Sequence, residues 1–337
     1  MPNKNQDVNS IYIEKKMRAV VHKEYGPPEV AVLTEIDKPV AKENELLVKV
    51  YASTVNRTDA GFRSAEYFIS RFWSGLLKPK YQTLGCEFAG VVETIGKDVT
   101  SFKVGDKVFG FNEASFGGHA EYLTVAEKAA VTHMPINVDF YQAAPISEGA
   151  FYAMNIIKAA NIIPGQQVLV NGATGAIGSA AVQLLKYLGA RVTAVCNTKN
   201  VELVKSLGAD VVIDYQTQDF TATKTKFSFI VDAVGKSSFG ACEPLLTDKG
   251  IYISTELGKG GENVFLALIT PMLGGKKVMF PIPEVKKEDI VFLKERVEAG
   301  DYKPVIERAY TLDQIVEAYT YVETGQKTGN VVVRVVE

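Results

Sequence analysis

Gly172, Gly175 and Gly178 punctuate the stretch Val168 to Gly178, which reads V-L-V-N-G-A-T-G-A-I-G. The apolar run Val168 to Asn171 predicts a strand. Ile177, Ala180, Ala181, Leu184, Leu185 and Leu188 then recur at helical spacing, so the order is strand, tight turn, helix. Glycine lets such a turn take positive φ and lets a ligand approach the backbone. The first N–H groups of the helix have no partner within it and face an approaching anion. A pyrophosphate is the natural occupant, with Thr174, Gly175, Ala176, Ile177 and Gly178 as its expected contacts. In the dinucleotide fingerprint G-x-G-x-x-G the first glycine is here Ala173; Gly175 and Gly178 fill the other two places and Gly172 is an extra one. The alternative is a structural strand–helix turn that holds no nucleotide.

The residues after the turn favour the nucleotide. Gly189-Ala190 leads into the β-type run Arg191 to Cys196. A helix from Glu202 to Leu207 ends at Gly208-Ala209, and Val211 to Asp214 reads as a third strand. This alternation predicts a parallel sheet with helices on both faces. Ligands bind at the carboxyl ends of such strands. That places Val234 and Gly235, Ser254 and Thr255, and Phe280 and Pro281 beside the cofactor, each pair at or just past a strand end. Ser147 opens the helix leading into this region and is a candidate contact for the pyrophosphate or the nicotinamide ribose.

The cofactor's phosphate state is also written here. NAD-specific folds carry an acid at the end of the second strand for the ribose 2′-hydroxyl. That position is Cys196, and no Asp or Glu appears until Glu202. Asn197, Thr198 and Lys199 supply amide, hydroxyl and ammonium donors instead, suited to a 2′-phosphate. NADPH is therefore the expected cofactor. Lys199 as a solvated surface lysine is the alternative.

The 337 residues suggest about two domains. A hydrophobic fraction of 47% with 23% charged residues is that of a soluble globular chain. Net charge −2 and a pI near 6.1 argue against a nucleic-acid or membrane surface. Cys86, Cys196 and Cys242 are scattered, so neither a disulfide framework nor a zinc knuckle is expected, which fits a reducing cytoplasm. No apolar run is long enough to span a bilayer. Met1 to Lys16 lacks a signal peptide's apolar core, and Asp7 and Glu14 argue against a transit peptide.

From Met17 the chain is strand-rich. Arg18 to His22, Leu46 to Ser53, Phe88 to Ile95 and Lys107 to Phe111 read as strands between crowded glycines, which suggests a small, bent barrel. An Ala-rich helical stretch from Tyr141 to Ala160 marks the change of architecture. Further strands are expected at Ser228 to Asp232, Gly250 to Ser254 and Lys277 to Phe280. Helices are expected at Val264 to Leu273, Glu288 to Ala299 and Leu312 to Val322. Val331 to Val336 closes the chain as a strand that returns to the first domain.

These residues together resemble the medium-chain dehydrogenase/reductase superfamily. The likeness runs from Met17 to the C-terminus. It rests on M-R-A-V-V at Met17, V-N-R-T-D at Val55, G-C-E-F-A-G-V-V at Gly85, G-D-K-V-F-G at Gly105, the Gly-rich turn, and L-G-A-D-V-V-I-D-Y at Leu207. It is most similar to the zinc-free quinone oxidoreductase branch, and V-T-A-V-C at Val192 is similar to mitochondrial reticulon-4-interacting reductases and plant alkenal/enone reductases. The resemblance implies an α/β fold with a GroES-like β-barrel substrate domain (17–144 and 282–337) and a Rossmann parallel-sheet domain (145–281). It implies an active cleft between them and a homodimer built on the Rossmann sheet. Tyr215 matches a tyrosine beside the 2′-phosphate in similar reductases, and Lys327 and Asn330 are further candidates to reach it.

Zinc-dependent relatives place a Cys where this chain has Asn56, a His where it has Cys86, and a third ligand near Ser147. A catalytic zinc needs three protein ligands and an open position. Cys86, Asp59 and Glu87 are the remaining donors; the alternative for Cys86 is a small residue packed in the barrel. No metal is expected. Nothing then polarises an alcohol for deprotonation, which favours reduction of a conjugated π-system whose incipient oxyanion needs only hydrogen-bond donors or solvent. The expected activity is reduction of a quinone or α,β-unsaturated carbonyl by NADPH. An alcohol or aldehyde oxidoreductase and a nucleotide-binding protein without turnover are the alternatives.

Asn56 and Asp59 sit at the superfamily's N-x-x-D position after a strand. They read as contacts to substrate or nicotinamide, or as a turn in which Asn or Asp bonds its own backbone. Tyr67, Phe68, Phe72 and Trp73 lie in the segment Phe62 to Tyr81, either walling an apolar pocket or packing a helix on the barrel. Tyr67 is a candidate proton donor. His22, His119 and His133 show no triad or ligand spacing.

Overall fold

A computed structural model of the protein describes residues 16–66 and 71–336. Tyr67 and Phe68 lie outside the described residues.

The first half runs β1 Lys16–Val21, β2 Val32–Asp37, β3 Glu45–Val55, α1 Arg57–Ser64, the single turn α2 Arg71–Ser74, β4 Glu87–Ile95, β5 Lys107–Phe111, β6 Tyr122–Ala126, β7 Ala130–His133, α3 Phe140–Ala143 and α4 Glu148–Ala160. The alternating half comes next: β8 Gln167–Asn171, α5 Ala176–Tyr187, β9 Arg191–Cys196, α6 Val201–Ser206, β10 Val211–Asp214, β11 Phe227–Asp232, α7 Phe239–Cys242, β12 Leu246–Ser254, α8 Glu262–Ile269 and β13 Lys277–Met279. The chain closes with α9 Lys287–Ala299, β14 Ile306–Thr311, α10 Ile315–Glu323 and β15 Asn330–Arg334.

Strands β8 to β13 form a six-stranded parallel sheet in the order β10-β9-β8-β11-β12-β13. The order reverses beside β8, which opens a crevice at its carboxyl end, where the Gly-rich turn lies. A seven-stranded sheet in the order β14-β15-β3-β4-β5-β7, with β6 on β3, carries the first half. The last strand, β15, pairs antiparallel with β3, Val331 opposite Val55.

Several elements differ from the sequence expectation. The helix expected from Tyr141 to Ala160 is broken: α3 ends at Ala143, Pro145 sits at ψ 15° in a short 3-10 turn, and α4 starts afresh at Glu148. Proline lacks an N–H and its ring crowds the preceding turn, so a helix stops there. Pro271 likewise turns the end of the expected Val264 to Leu273 helix into a 3-10 turn. Strands β2, β6, β7 and β14 were not legible in the sequence.

One core cluster joins the two sheets: Phe109, Phe111 and Cys86 pack with Ile146 and Phe151 near α4 and with Val168, Val170 and Leu185 around the crevice. A second fills the seven-stranded sheet, with Val48, Phe88, Leu123 and Val331. Both bury large aliphatic and aromatic side chains, each worth roughly 1.5–3 kcal/mol.

Candidate active site

The turn after β8 is a cradle open on one side. Gly172 takes φ +77°. A Cβ on Gly178 would stand 2.1 Å from the Gly172 carbonyl oxygen, so only glycine lets α5 start this close to the turn. A Cβ on Gly175 would meet nothing nearer than 3.9 Å, so that face is free for a ligand. Gly175 is the N-cap of α5 and no side chain caps the helix, leaving the first amides of Ala176, Ile177 and Gly178 for an anion. The Gly329 amide donates to the Thr174 carbonyl at 2.6 Å, which ties the C-terminal segment to the turn. These residues fit a dinucleotide pyrophosphate.

Glu87 is the buried hub on the other side of the crevice. Its carboxylate accepts from Thr54 Oγ1 at 2.6 Å, from the Ser147 amide and hydroxyl at 3.0 and 2.9 Å, and from the Glu148 amide at 2.6 Å. It thereby caps α4 from a strand of the other sheet. Burial, then the charge of Glu148, push its pKa up to about 7, against these hydrogen bonds. The Ser147 hydroxyl, a candidate cofactor contact, donates its proton to Glu87.

Asn56 and Asp59 form the capping box of α1. Asn56 is the N-cap of α1: its Oδ1 accepts from the Asp59 amide at 2.9 Å, and its Nδ2 donates to Cys86 Sγ at 3.1 Å. The Asp59 carboxylate accepts from the amides of Gly85 at 3.0 Å, Cys86 at 3.2 Å and Asn56 at 3.3 Å. Both are buried. These bonds fix α1 against the chain entering β4.

Just beyond this turn lies a set of polar side chains that sequence reading missed. Thr58 Oγ1 donates to Glu148 Oε1 at 2.9 Å and lies 3.4 Å from the Tyr152 hydroxyl. Burial raises the pKa of Glu148, opposed by Lys327, Thr58 and Arg57. Burial, with the charge of Glu148, pushes Glu113 up to about 7. Arg57 forms a 2.9 Å ion pair with Glu256, two residues past the end of β12, and so bridges α1 to the parallel sheet. The sequence signal was present in the T-D of V-N-R-T-D and in an acid at the first position of a helix, but nothing local joined them.

At the adenine end, the loop after β9 is in place but partly engaged. Thr198 Oγ1 donates to Asp214 Oδ2 at 2.6 Å, and Asn197 Oδ1 accepts from Asn200 at 2.8 Å. Lys199 is 60% exposed and lies 3.8 Å from Glu307. Tyr215 is exposed beside them. Asp214 pairs in register with Cys196, so an acid does stand at this end of the sheet, supplied by the neighbouring strand. Lys327 and Asn330 flank this loop's contact with the C-terminal segment, where Asn200 Nδ2 donates to Thr328 Oγ1 at 3.1 Å. Lys327 donates to the Gly329 carbonyl at 2.6 Å, and its foremost charge partners are Glu148 and Glu87. Asn330 is buried and donates its side-chain amide to the Val305 carbonyl at 3.0 Å. Val234 and Gly235 accompany Asp232, whose Oδ1 accepts their amides at 3.3 and 3.0 Å. The Thr255 amide donates to the Asp232 carbonyl at 3.0 Å, and Ser254 Oγ accepts from the Glu256 amide at 3.2 Å. Phe280 and Pro281 come just after β13, half-buried.

Two family models match the chain: Alcohol dehydrogenase GroES-like domain over residues 42–136 and Zinc-binding dehydrogenase over residues 207–333. The 2-methylene-furan-3-one reductase of Solanum lycopersicum is 32% identical, over 96% of this chain and 80% of its own. The NADPH-dependent alkenal/one oxidoreductase of Arabidopsis thaliana, chloroplastic, is 31% identical over 95% of this chain and 80% of its own. The solved quinone oxidoreductase from Coxiella burnetii superposes with a TM-score of 0.85 at 25% identity, over 96% of this chain and 100% of its own. The chain belongs to the medium-chain dehydrogenase/reductase superfamily, in its quinone oxidoreductase branch. As in that superfamily, a GroES-like domain is combined with a Rossmann-like parallel sheet. It is an oxidoreductase of the superfamily's nicotinamide-dependent type.

One matching model is named for zinc, and the donors here do not fit that metal. Among the described residues no group of three His, Cys, Asp or Glu side chains gathers to hold an ion. Asn56 Nδ2 donates to Cys86 Sγ at 3.1 Å, so this sulfur is already engaged by an amide that is not a zinc ligand. The Asp59 carboxylate already accepts from three backbone amides, and Glu87 from two amides and two hydroxyls.

Proposed function

We propose that the protein reduces quinones or α,β-unsaturated carbonyls with NADPH and without a catalytic metal. The observation that carries this reading is the pairing of an open pyrophosphate cradle with a filled metal position, where Asn56 donates to a protonated Cys86. The names of the relatives support it, since they describe reductases of enones, alkenals and quinones. Bound NADPH would supply the hydride. The protein's part is to hold the pyrophosphate at the start of α5 and to present polar groups of α1 and α4 to the substrate's oxygen. NADPH rather than NADH rests on Asn197, Thr198, Lys199 and Tyr215 beside the adenine ribose.

The same reading divides the chain into a substrate unit (17–144 and 282–337) and a cofactor unit (145–281). It includes a homodimer in the cytoplasm. Phe265, Leu268, Met272 and Ile282, exposed between 62% and 86%, flank β13 at the end of the parallel sheet and suit a second copy. Among the described residues no helix is long and apolar enough to cross a membrane.

The test is a panel of quinones, enones, aldehydes and alcohols with NADPH and with NADH, alongside molar mass in solution. Turnover of conjugated carbonyls with NADPH is expected. Equal efficiency on simple alcohols would favour an alcohol oxidoreductase. Saturable NADPH binding with no turnover would make the chain a nucleotide-binding protein.

A further inference from the structure

We propose that Tyr152 hands the proton to the reduced substrate and is reloaded from Glu148 through the Thr58 hydroxyl. This rests on the reading that conjugated carbonyls are reduced here.

Three contacts give the placement. Gly149 leaves no room for a Cβ, which would stand 2.7 Å from the Ala176 carbonyl group, so the start of α4 lies against the start of α5. Glu148 therefore sits one residue from the pyrophosphate cradle. The Arg57–Glu256 ion pair at 2.9 Å holds the first turn of α1 over the end of β12. The adenine half of a dinucleotide leaves the cradle toward β9, so the nicotinamide half runs the other way, toward β11 and β12. Thr58 follows Arg57 and bonds Glu148 beside the cradle, which puts it where the reacting ring falls. Tyr152 lies one helical turn beyond Glu148, on the same face of α4.

The chemistry needs such a group. Hydride addition to the β-carbon of an enone breaks the C=C π bond and moves its electron pair onto the α-carbon and oxygen as an enolate. A proton must then bond to the α-carbon. Tyr152 O–H breaks to give that proton. When Glu148 is protonated its carboxyl donates to Thr58 in place of accepting, so the Thr58 hydroxyl turns its single proton to the phenolate and takes one from that carboxyl, and solvent restores the carboxyl. Burial, then the charges of Glu113 and Glu148, hold the Tyr152 hydroxyl well above its usual pKa, so it stays protonated near neutrality. Burial also raises Glu148 toward the protonated form that can reload it. The charged groups acting on the pair are Glu113, Glu87, Arg57 and Lys327.

The test uses the full chain, NADPH and an α-methyl enone that the wild type reduces. The α-carbon becomes a stereocentre whose hand records the face of protonation. Tyr152→Phe is expected to lower kcat about a hundredfold, the scale of a lost general acid, and to give a nearly racemic product while still binding NADPH. Thr58→Val, close in shape, is expected to lower kcat with the product's hand retained, because Tyr152 still delivers but reloads slowly. A merely structural Tyr152 would not separate rate from product hand in this way. Tyr152→Phe with wild-type rate and wild-type product hand overturns the proposal alone. Wild-type rate in Thr58→Val overturns the reloading path. If the wild type binds NADPH but reduces no conjugated carbonyl, the functional reading falls and takes this proposal with it.

Discussion

Asn56 donates its side-chain amide to Cys86 Sγ at 3.1 Å, and these are the two positions where the resemblance implies metal ligands in zinc-dependent relatives. The amide is fixed from its other side as well, because Asn56 Oδ1 caps α1. Cys86 is fully buried and held as a thiol by desolvation and by three nearby carboxyl groups. A zinc ion would have to displace the amide, ionise the thiol and strip Asp59 of its backbone donors. The purified protein should carry far less than about one zinc per chain, the stoichiometry of a catalytic site. Elemental analysis checks this, and activity should survive a strong chelator.

Gly178→Ala should damage cofactor binding more than it damages the fold. The added methyl would stand 2.1 Å from the Gly172 oxygen and 2.9 Å from its carbon, and neither belongs to a flexible side chain. Either α5 or the turn must move, at a stability cost of about 1–3 kcal/mol. The amides aimed at the pyrophosphate move with them, so NADPH affinity should fall at least about tenfold, equivalent to about 1.4 kcal/mol. Thermal unfolding and a fluorescence titration with NADPH separate the two effects. Unchanged affinity would mean that the pyrophosphate lies elsewhere.

The features legible in the sequence were local ones. The strand–turn–helix at Val168 to Gly178 is contiguous, so its spacing alone exposes it. Tertiary chemistry was not legible. Thr58 meets Glu148 and Tyr152 across 90 and 94 residues of chain, and only the packing of α1 on α4 brings them together. Asp214 was missed for the same reason: it reaches the adenine end through β-sheet register with Cys196, not through sequence proximity. Asn56 and Asp59 looked catalytic because polar residues after a strand serve turns and sites alike. In the structure both are bonded within the turn that starts α1, a role that residue type and spacing alone do not separate from a site. Strands β6 and β7 are short and depend on partners, so their own sequences showed little sign of them.

Cofactor preference should respond in opposite directions at two positions. Lys199 is exposed and only loosely held by Glu307 at 3.8 Å, so it can turn to a 2′-phosphate at little loss. A charge-assisted hydrogen bond to that phosphate contributes roughly 1.5–3 kcal/mol. Lys199→Ala should therefore reduce the NADPH-over-NADH ratio by about tenfold or more. Asp214→Asn removes an acid from the same end of the sheet and should raise the ratio. Steady-state kinetics with both cofactors at one substrate concentration gives the ratios. No change in Lys199→Ala would move the contact to Asn197, Thr198 and Tyr215.

Glu113 should make the protein less stable as pH rises through the weakly acidic range. Its ordinary pKa of 4.5 is pushed up to about 7 in the folded chain, first by burial and then by the charge of Glu148. Below 4.5 the carboxyl is protonated in both states and carries no penalty. Between 4.5 and about 7 the unfolded chain releases the proton and the folded chain keeps it, so stability falls with rising pH. Above that window the folded protein holds a desolvated charge and the penalty is complete. His119 runs the other way: burial lowers it to about 4, so it contributes stability that is lost as pH falls below its ordinary 6.5. Glu113→Gln removes the first effect and leaves the second, so the comparison with wild type isolates Glu113. The variant should match the wild type near pH 4.5 and exceed it by roughly 1–3 kcal/mol near pH 8, the upper end discounted because the side chain is only half-buried. Urea unfolding of both proteins at the two pH values measures the difference. A gain of the same size at both would show that the substitution acts through shape or hydrogen bonding rather than through the carboxyl's charge.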